Sequence, residues 1–188
     1  MQAVLDNPWR AAALGIAISA VAIAYWALAS SADLEGAAVT SLRAGHVVAA
    51  FVWAGFIVFV NFVQLAALRD ANETERPAIV RHIVPRTARV FTGAAHATLF
   101  TGILMLLPSM PTLVARPLLL GSVVAGVAMW AIVQFILRPN VQRITGKVAA
   151  SDPEKAQARM TIARWARINL VLVIPTAVAM MIAAHAGM

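Results

Sequence analysis

Three histidines, His46, His96 and His185, stand within apolar stretches of this 188-residue chain. An imidazole there can ligate a metal or hydrogen-bond inside a packed bundle. A haem iron held between two helices needs axial nitrogens at matching depth. His46, near the start of its span, and His185, near the end of its own, read as lying at similar depth on the outer side, whereas His46 and His96 would be staggered by roughly 10 Å or more at 1.5 Å per residue. Arg43, one turn outward from His46, has the charge to neutralise a haem propionate, and Trp53 would help shape that pocket. In the competing reading, His46 and His185 merely mark a polar interface, where they reach water. His96 is a second candidate ligand, a proton carrier or a packing residue, and His82, in a basic loop, reads as solvated.

The second apolar stretch carries its polar residues on one line. At about 100° per residue, Arg43, His46, Trp53, Asn61 and Gln64 project within an arc of roughly 80°, with Phe51, Val58 and Val60 off it. That face is expected to look into a bundle. Asn61 and Gln64 can act there as interhelical glue. Alternatively, with Arg86, Arg138, Asn140, Arg167 and Asn169, they can form a polar inner pocket for a flat anion such as a purine. On the last stretch Arg167 and His185 share a face, and Asn169 projects almost opposite.

The elements that must position these groups follow from composition. The chain is 61% hydrophobic and 12% charged, far from the balance of a soluble domain. Five runs are long enough to cross a hydrocarbon core, so the fold class expected is all-α, one membrane domain over 1–188, with spans at about 11–29, 44–67, 90–107, 117–137 and 168–186. The first run resembles a signal peptide at Ala27-Leu28-Ala29, but it is longer than a signal core and is expected to be retained. Lys and Arg are held on the cytoplasmic side. Arg10, five arginines from Arg69 to Arg89 and seven basic residues from Arg138 to Arg167 make thirteen on one side, against Arg43 and Arg116 on the other. The topology expected is therefore N-in and C-out, with cytoplasmic loops at 68–89 and 138–167. The net charge of +7 then reflects topology and attraction to anionic lipid headgroups; nucleic acid is not an expected partner.

Pro117 suits a first helical position. Leu107-Pro108 and Arg138-Pro139 read as helix stops, and Pro175 as a kink inside the last span. Ser151-Asp152-Pro153-Glu154 reads as the cap of a short amphipathic helix in the second cytoplasmic loop. Trp9, Trp26 and Trp165 fall where aromatic belts belong. Gly45, Gly55, Gly93, Gly102, Gly121 and Gly126 are expected to permit close helix approach. The absence of cysteine removes disulfides, thiolate metal sites and c-type haem attachment. The methionines form no copper pattern, no nucleophile arrangement or phosphate loop is present, and no acidic residue lies within a predicted span.

The run His46-x6-Trp53-x-Gly55-x5-Asn61-Phe62-Val63-Gln64, then Val84-Pro85-Arg86 and Thr101-Gly102, resembles the membrane domain of bacterial cytochrome-linked urate hydroxylases. Pro139-Asn140 and Arg167-x-Asn169-x5-Pro175-x9-His185 resemble its later motifs at the same spacing. The likeness extends from about residue 42 to 185. Family enzymes carry a fused cytochrome c domain and further helices that these 188 residues do not include, and His96 stands where the family pattern is apolar. The resemblance implies a bacterial inner-membrane redox module, a urate-hydroxylase-like oxidoreductase passing electrons to a periplasmic c-type cytochrome, with haem b as the cofactor weighed on His46 and His185. Two other readings remain open: a non-redox accessory subunit bound to another membrane subunit or a second copy, and a purine or small-anion binding or transport module.

Overall fold

The structure, a computed structural model, describes residues 6–185. It is all-α, with no strand among the described residues. Five helices are long and apolar enough to cross a membrane: α1 Pro8–Ala29, α2 Leu34–Asp70, α3 Arg76–Leu106, α4 Pro117–Ile144 and α5 Asp152–His185. The five predicted spans are all present. The predicted end of the last, Ala186, lies outside the described residues.

The chain divides into two compact units, Met1–Gly45 and His46–Met188. The first contains α1 and the start of α2. Asn7 caps α1, its Oδ1 accepting from Trp9 N at 2.9 Å, and Pro8 fills the first turn, where a missing N–H costs nothing. The Ser30 hydroxyl closes the other end by donating to the Trp26 carbonyl at 2.7 Å. Ser31 then turns the chain through a left-handed φ of 51°. Asp33 Oδ1 accepts from Gly36 N at 2.8 Å and so starts α2.

The second unit packs α2 from His46 onward with α3, α4 and α5. Its core is built from Trp53 and Ile57 of α2, Phe91 and Ala95 of α3, Met129 and Val133 of α4, and Ile162 of α5. The most extensive packing is α4 on α5. Arg116 Nη2 donates to the Ala183 carbonyl at 3.4 Å, which sets the start of α4 beside the end of α5.

Two of these helices contain a wide π turn. In α2 it covers Val60–Gln64, with Leu65 N–H reaching back to the Val60 carbonyl; in α4 it covers Ile132–Leu137, with Arg138 N–H reaching Val133. Such turns hold one extra residue and are frequent at functional sites. The second one corrects an expectation. Arg138-Pro139 does not stop α4, which runs on as Arg138–Ile144. A proline ring meets the preceding turn of a regular helix, and the widened turn just before it gives that ring room. Asn140 also repairs the local bonding, its Nδ2 donating to the Ile136 carbonyl at 2.7 Å.

The loops predicted at 68–89 and 138–167 are correspondingly shorter. α4 ends where Gly146 adopts φ +75° and Lys147 N–H returns to the Gln142 carbonyl at 2.9 Å, a glycine-terminated cap. Ser151 and Glu154 then form a reciprocal box, Ser151 N and Oγ both donating to Glu154 Oε2 at 2.7 and 2.8 Å. The helix they start is α5 itself, 34 residues long, rather than a separate amphipathic segment. At 1.5 Å per residue it is about 50 Å long, more than a hydrocarbon core requires. α5 runs unbroken through Pro175. At the other end of the unit, α3 stops at Leu106 and Leu107–Ala115 winds as a 3-10 helix. Pro117 opens α4. Both of these agree with the sequence reading.

Candidate functional site

The polar line of α2 faces inward over most of its length. Trp53, Ile57 and Gln64 are buried, Asn61 is half-buried, and Phe51 and Val58, off the line, are exposed. Asn61 Nδ2 donates to the Ile57 carbonyl at 2.9 Å and to the Ala166 carbonyl of α5 at 3.1 Å. Both partners can only accept, so the amide orientation is fixed and Oδ1 faces away from them as an acceptor. Arg43 is exposed and belongs to the first unit.

On this line and on α4 and α5 lie buried polar atoms without a hydrogen-bond partner. They are Asn61 Oδ1, Gln64 Oε1, both amide atoms of Asn169, Gln134 Nε2, and the indole nitrogens of Trp53 and Trp130. Asn169 has an exposure of 0% and sits one turn beyond Ala166 on α5. Each such group costs about 1–3 kcal/mol when left dry, so several on one bundle call for water or a ligand. Gln64 and Gln134 stand in the two wide turns, where the extra residue alters the direction of the side chains.

Gln64 lines a cavity of about 360 Å³ between α2, α3, α4 and α5. Its other polar walls include His96 and Arg89 of α3, Arg138 and Gln142 of α4, and Lys147 just beyond it. None of the lining residues is acidic among the described residues. Arg89, Arg138 and Lys147 are all exposed, so three cations rim one open space with no acidic lining residue, which gives a field suited to an anion. His96 Nδ1 donates to the Thr92 carbonyl at 2.8 Å, and its ring meets Trp130 edge to face at 6.0 Å and 85°.

The predicted pocket residues are therefore brought together in part. Gln64 and Arg138 line the cavity, and Asn61 is tied to its wall through Ala166. Asn140 is buried but engaged in α4, accepting from Arg143 Nη1 at 3.2 Å. Arg167 is exposed. Arg86 lines a separate groove between α2 and α3, and its Nη1 donates to the His82 carbonyl. His96, Arg89, Gln142 and Lys147 are further polar lining residues, together with Thr87, Thr92 and Thr145, whereas Gln134 does not line the cavity. In the sequence, Arg89 and Lys147 carry a topology signal only.

His46 is held by α3. Its Nδ1 lies 3.1 Å from the Thr98 carbonyl and 3.0 Å from Thr101 Oγ1. The carbonyl can only accept, and the Thr101 hydroxyl already donates to Ala97 at 2.7 Å, so Nδ1 carries the proton. The neutral ring then keeps its lone pair on Nε2, the arrangement a metal-binding imidazole requires. The ring lies against Gly102, where a Cβ would stand 3.0 Å from His46 Cε1. Of the six glycines read as helix contacts, Gly102 meets this ring and a Cβ at Gly126 would stand 3.8 Å from Met180 Cε, while a Cβ at Gly45, Gly55, Gly93 or Gly121 would meet nothing within 4 Å. His185 is exposed on α5, its Nδ1 donating to its own Met181 carbonyl at 2.7 Å. Trp53 belongs to the buried core. Among the described residues no group of three or more His, Cys, Asp or Glu is placed to hold a metal ion; a haem needs only two axial ligands, and His46 has the chemistry of one.

Fold and site together define a multi-pass, all-α membrane protein with an open, cation-rimmed pocket between four of its helices. A scan against protein-family models found no match to this chain, and searches of curated proteins and of solved structures also found none.

Proposed function

We propose that this protein binds a small planar anion of the purine kind in the cavity between α2, α3, α4 and α5. The observation that carries the reading is Gln64: its Oε1 is buried without a partner, and the residue lines a cavity with Arg89, Arg138 and Lys147. Cations alone would suit any anion. Gln64 Oε1 lies buried beneath the cavity wall; turning the amide into the cavity would offer that acceptor to a ligand bearing N–H groups, which a lactam heterocycle has and sulfate lacks. The guanidinium of Arg138 and the ammonium of Lys147 supply charge, and the amides supply orientation. Thermal stabilisation in detergent by urate and related purines tests this reading. A rise in melting temperature that Gln64→Leu abolishes supports it, and no shift at millimolar purine overturns it.

A redox role is the second reading, favoured by His46. A haem b bound there would supply one-electron chemistry, with His46 Nε2 as one axial nitrogen and His185 as the second candidate. In that setting the protein is a bacterial inner-membrane module, N-in and C-out, handing electrons to a periplasmic c-type cytochrome. The thirteen-to-two distribution of basic residues supports that orientation. A Soret band lost in both His46→Ala and His185→Ala, but kept in His82→Ala, is the expected result; purified protein without one excludes the role.

A further inference from the structure

The second groove has a different character from the cavity. It measures about 500 Å³ and is walled by Val52, Phe56 and Phe59 of α2 and by Val90 of α3, with Arg86 the one charged lining residue. Phe56 and Phe59 brace each other edge to face at 6.0 Å and 64°. Gly55 lies on its α2 side, and a Cβ there would meet nothing within 4 Å. The missing side chain therefore leaves room that no neighbouring helix takes up.

We propose that this groove binds an anionic phospholipid, with an acyl chain along Val52–Phe59 and the phosphate on Arg86. The length fits part of a chain, because the stretch of α2 from residue 52 to 59 rises about 10 Å at 1.5 Å per residue, about two thirds of one leaflet of a roughly 30 Å core. So does the depth. Arg86 lies about twenty residues before Leu106, the last α-helical residue of α3, and about 20 residues cross a hydrocarbon core. Its guanidinium thus sits at headgroup level when Leu106 sits at the opposite surface. The charge is available: among the described residues no carboxylate pairs with Arg86, the ion pairs being Arg69 with Asp70 and Lys155 with Asp152. A guanidinium has five N–H donors, and only one nitrogen of Arg86 is committed, to the His82 carbonyl. Planar donors of this kind suit a phosphate. The apolar walls suit a flexible chain that needs no hydrogen bonds, which favours a lipid over a polar ligand.

The test is native mass spectrometry of the detergent-solubilised protein with dioleoyl phosphatidylglycerol, dioleoyl phosphatidylcholine or inorganic phosphate. Phosphatidylglycerol is expected to be retained about tenfold more strongly than phosphatidylcholine, an energy difference of about 1.4 kcal/mol, and inorganic phosphate is not expected to be retained. Arg86→Gln removes the preference between headgroups, and Gly55→Leu, which fills the groove, weakens both lipids. Val90→Trp fills it from α3 and replaces Gly55→Leu should that variant fail to fold. Equal retention of the two lipids by the parent protein overturns the proposal. So does unchanged retention when the groove is filled, which would reduce Arg86 to general surface attraction, and so does a dimer that the filled groove disrupts in place of lipid binding.

Discussion

Asn61 on α2 donates to the backbone carbonyl of Ala166 on α5 across 3.1 Å, joining positions 105 residues apart in the chain. The same amide group also holds the Ile57 carbonyl. One side chain therefore ties its wide turn to the α-helical turn before it and fixes the distance to the helix opposite.

Replacing Asn61 by Ala removes both donations and leaves the Ala166 carbonyl without this partner in a buried position. The expected loss is ~1–2 kcal/mol, larger than a typical single interhelical bond because two acceptors are affected. Thermal denaturation in detergent measures it. A variant as stable as the parent would mean that water replaces the amide at no cost.

The cavity cations should act through charge. Arg138→Gln is expected to weaken purine binding by about tenfold, the effect of losing one charge-assisted contact of roughly 1.4 kcal/mol. Raising the salt concentration should weaken binding to the parent more than to the variant, since fewer charges remain to be screened. Titrations at two ionic strengths decide between this and a purely shape-based fit, for which the two proteins would respond alike.

Gly102 leaves the space that the His46 ring occupies. Gly102→Ala puts a methyl 3.0 Å from Cε1 and 3.4 Å from Nδ1, so the ring must turn and its bond to the Thr98 carbonyl lengthens. A stability loss of about 1 kcal/mol is expected from the crowding. In a haem-loaded protein the reduced absorption bands and the midpoint potential should shift as well, because the bond that orients the ligand has changed. Gly93→Ala, where nothing lies within 4 Å, is the matched control and should alter neither.

The box that starts α5 gives a further test. Ser151→Ala removes the hydroxyl that donates to Glu154 and accepts from its N–H, and a loss of about 1 kcal/mol is usual for such a cap. Hydrogen exchange should rise in the first turns of α5 and stay unchanged near Asn169. Uniform acceleration along the whole helix would instead mean that α5 opens as one piece.

The spans were legible because an uncharged run of about twenty residues has few alternatives to a membrane helix. Their true ends were not, because a helix that continues into polar surroundings loses its hydropathy signal while keeping its geometry, as α5 does between Asp152 and the predicted start near 168. The cap at Ser151 and Glu154 was readable, but the length of helix behind it was not. Pro139 misled for a physical reason: the wide turn that makes room for it carries no residue signature. The α2 line of Trp53, Asn61 and Gln64 followed from angular spacing alone. The partner of Asn61 could not follow, since a backbone carbonyl such as that of Ala166 is the same in every residue. Likewise six glycines looked equivalent, and only packing distinguishes Gly102 as the one that seats an imidazole.

The wide turn at Val60–Gln64 leaves α2 one residue out of phase with an ideal helix. Deleting any one residue there is expected to restore ordinary winding and leave the rest of α2 facing as it does, because a wide turn takes up its extra residue within about one turn of helix. Length in this stretch is thus less restrictive than chemical identity. A distant cousin with a one-codon gap in these five positions would keep the inward face of its helix and lose only the local widening beside Gln64.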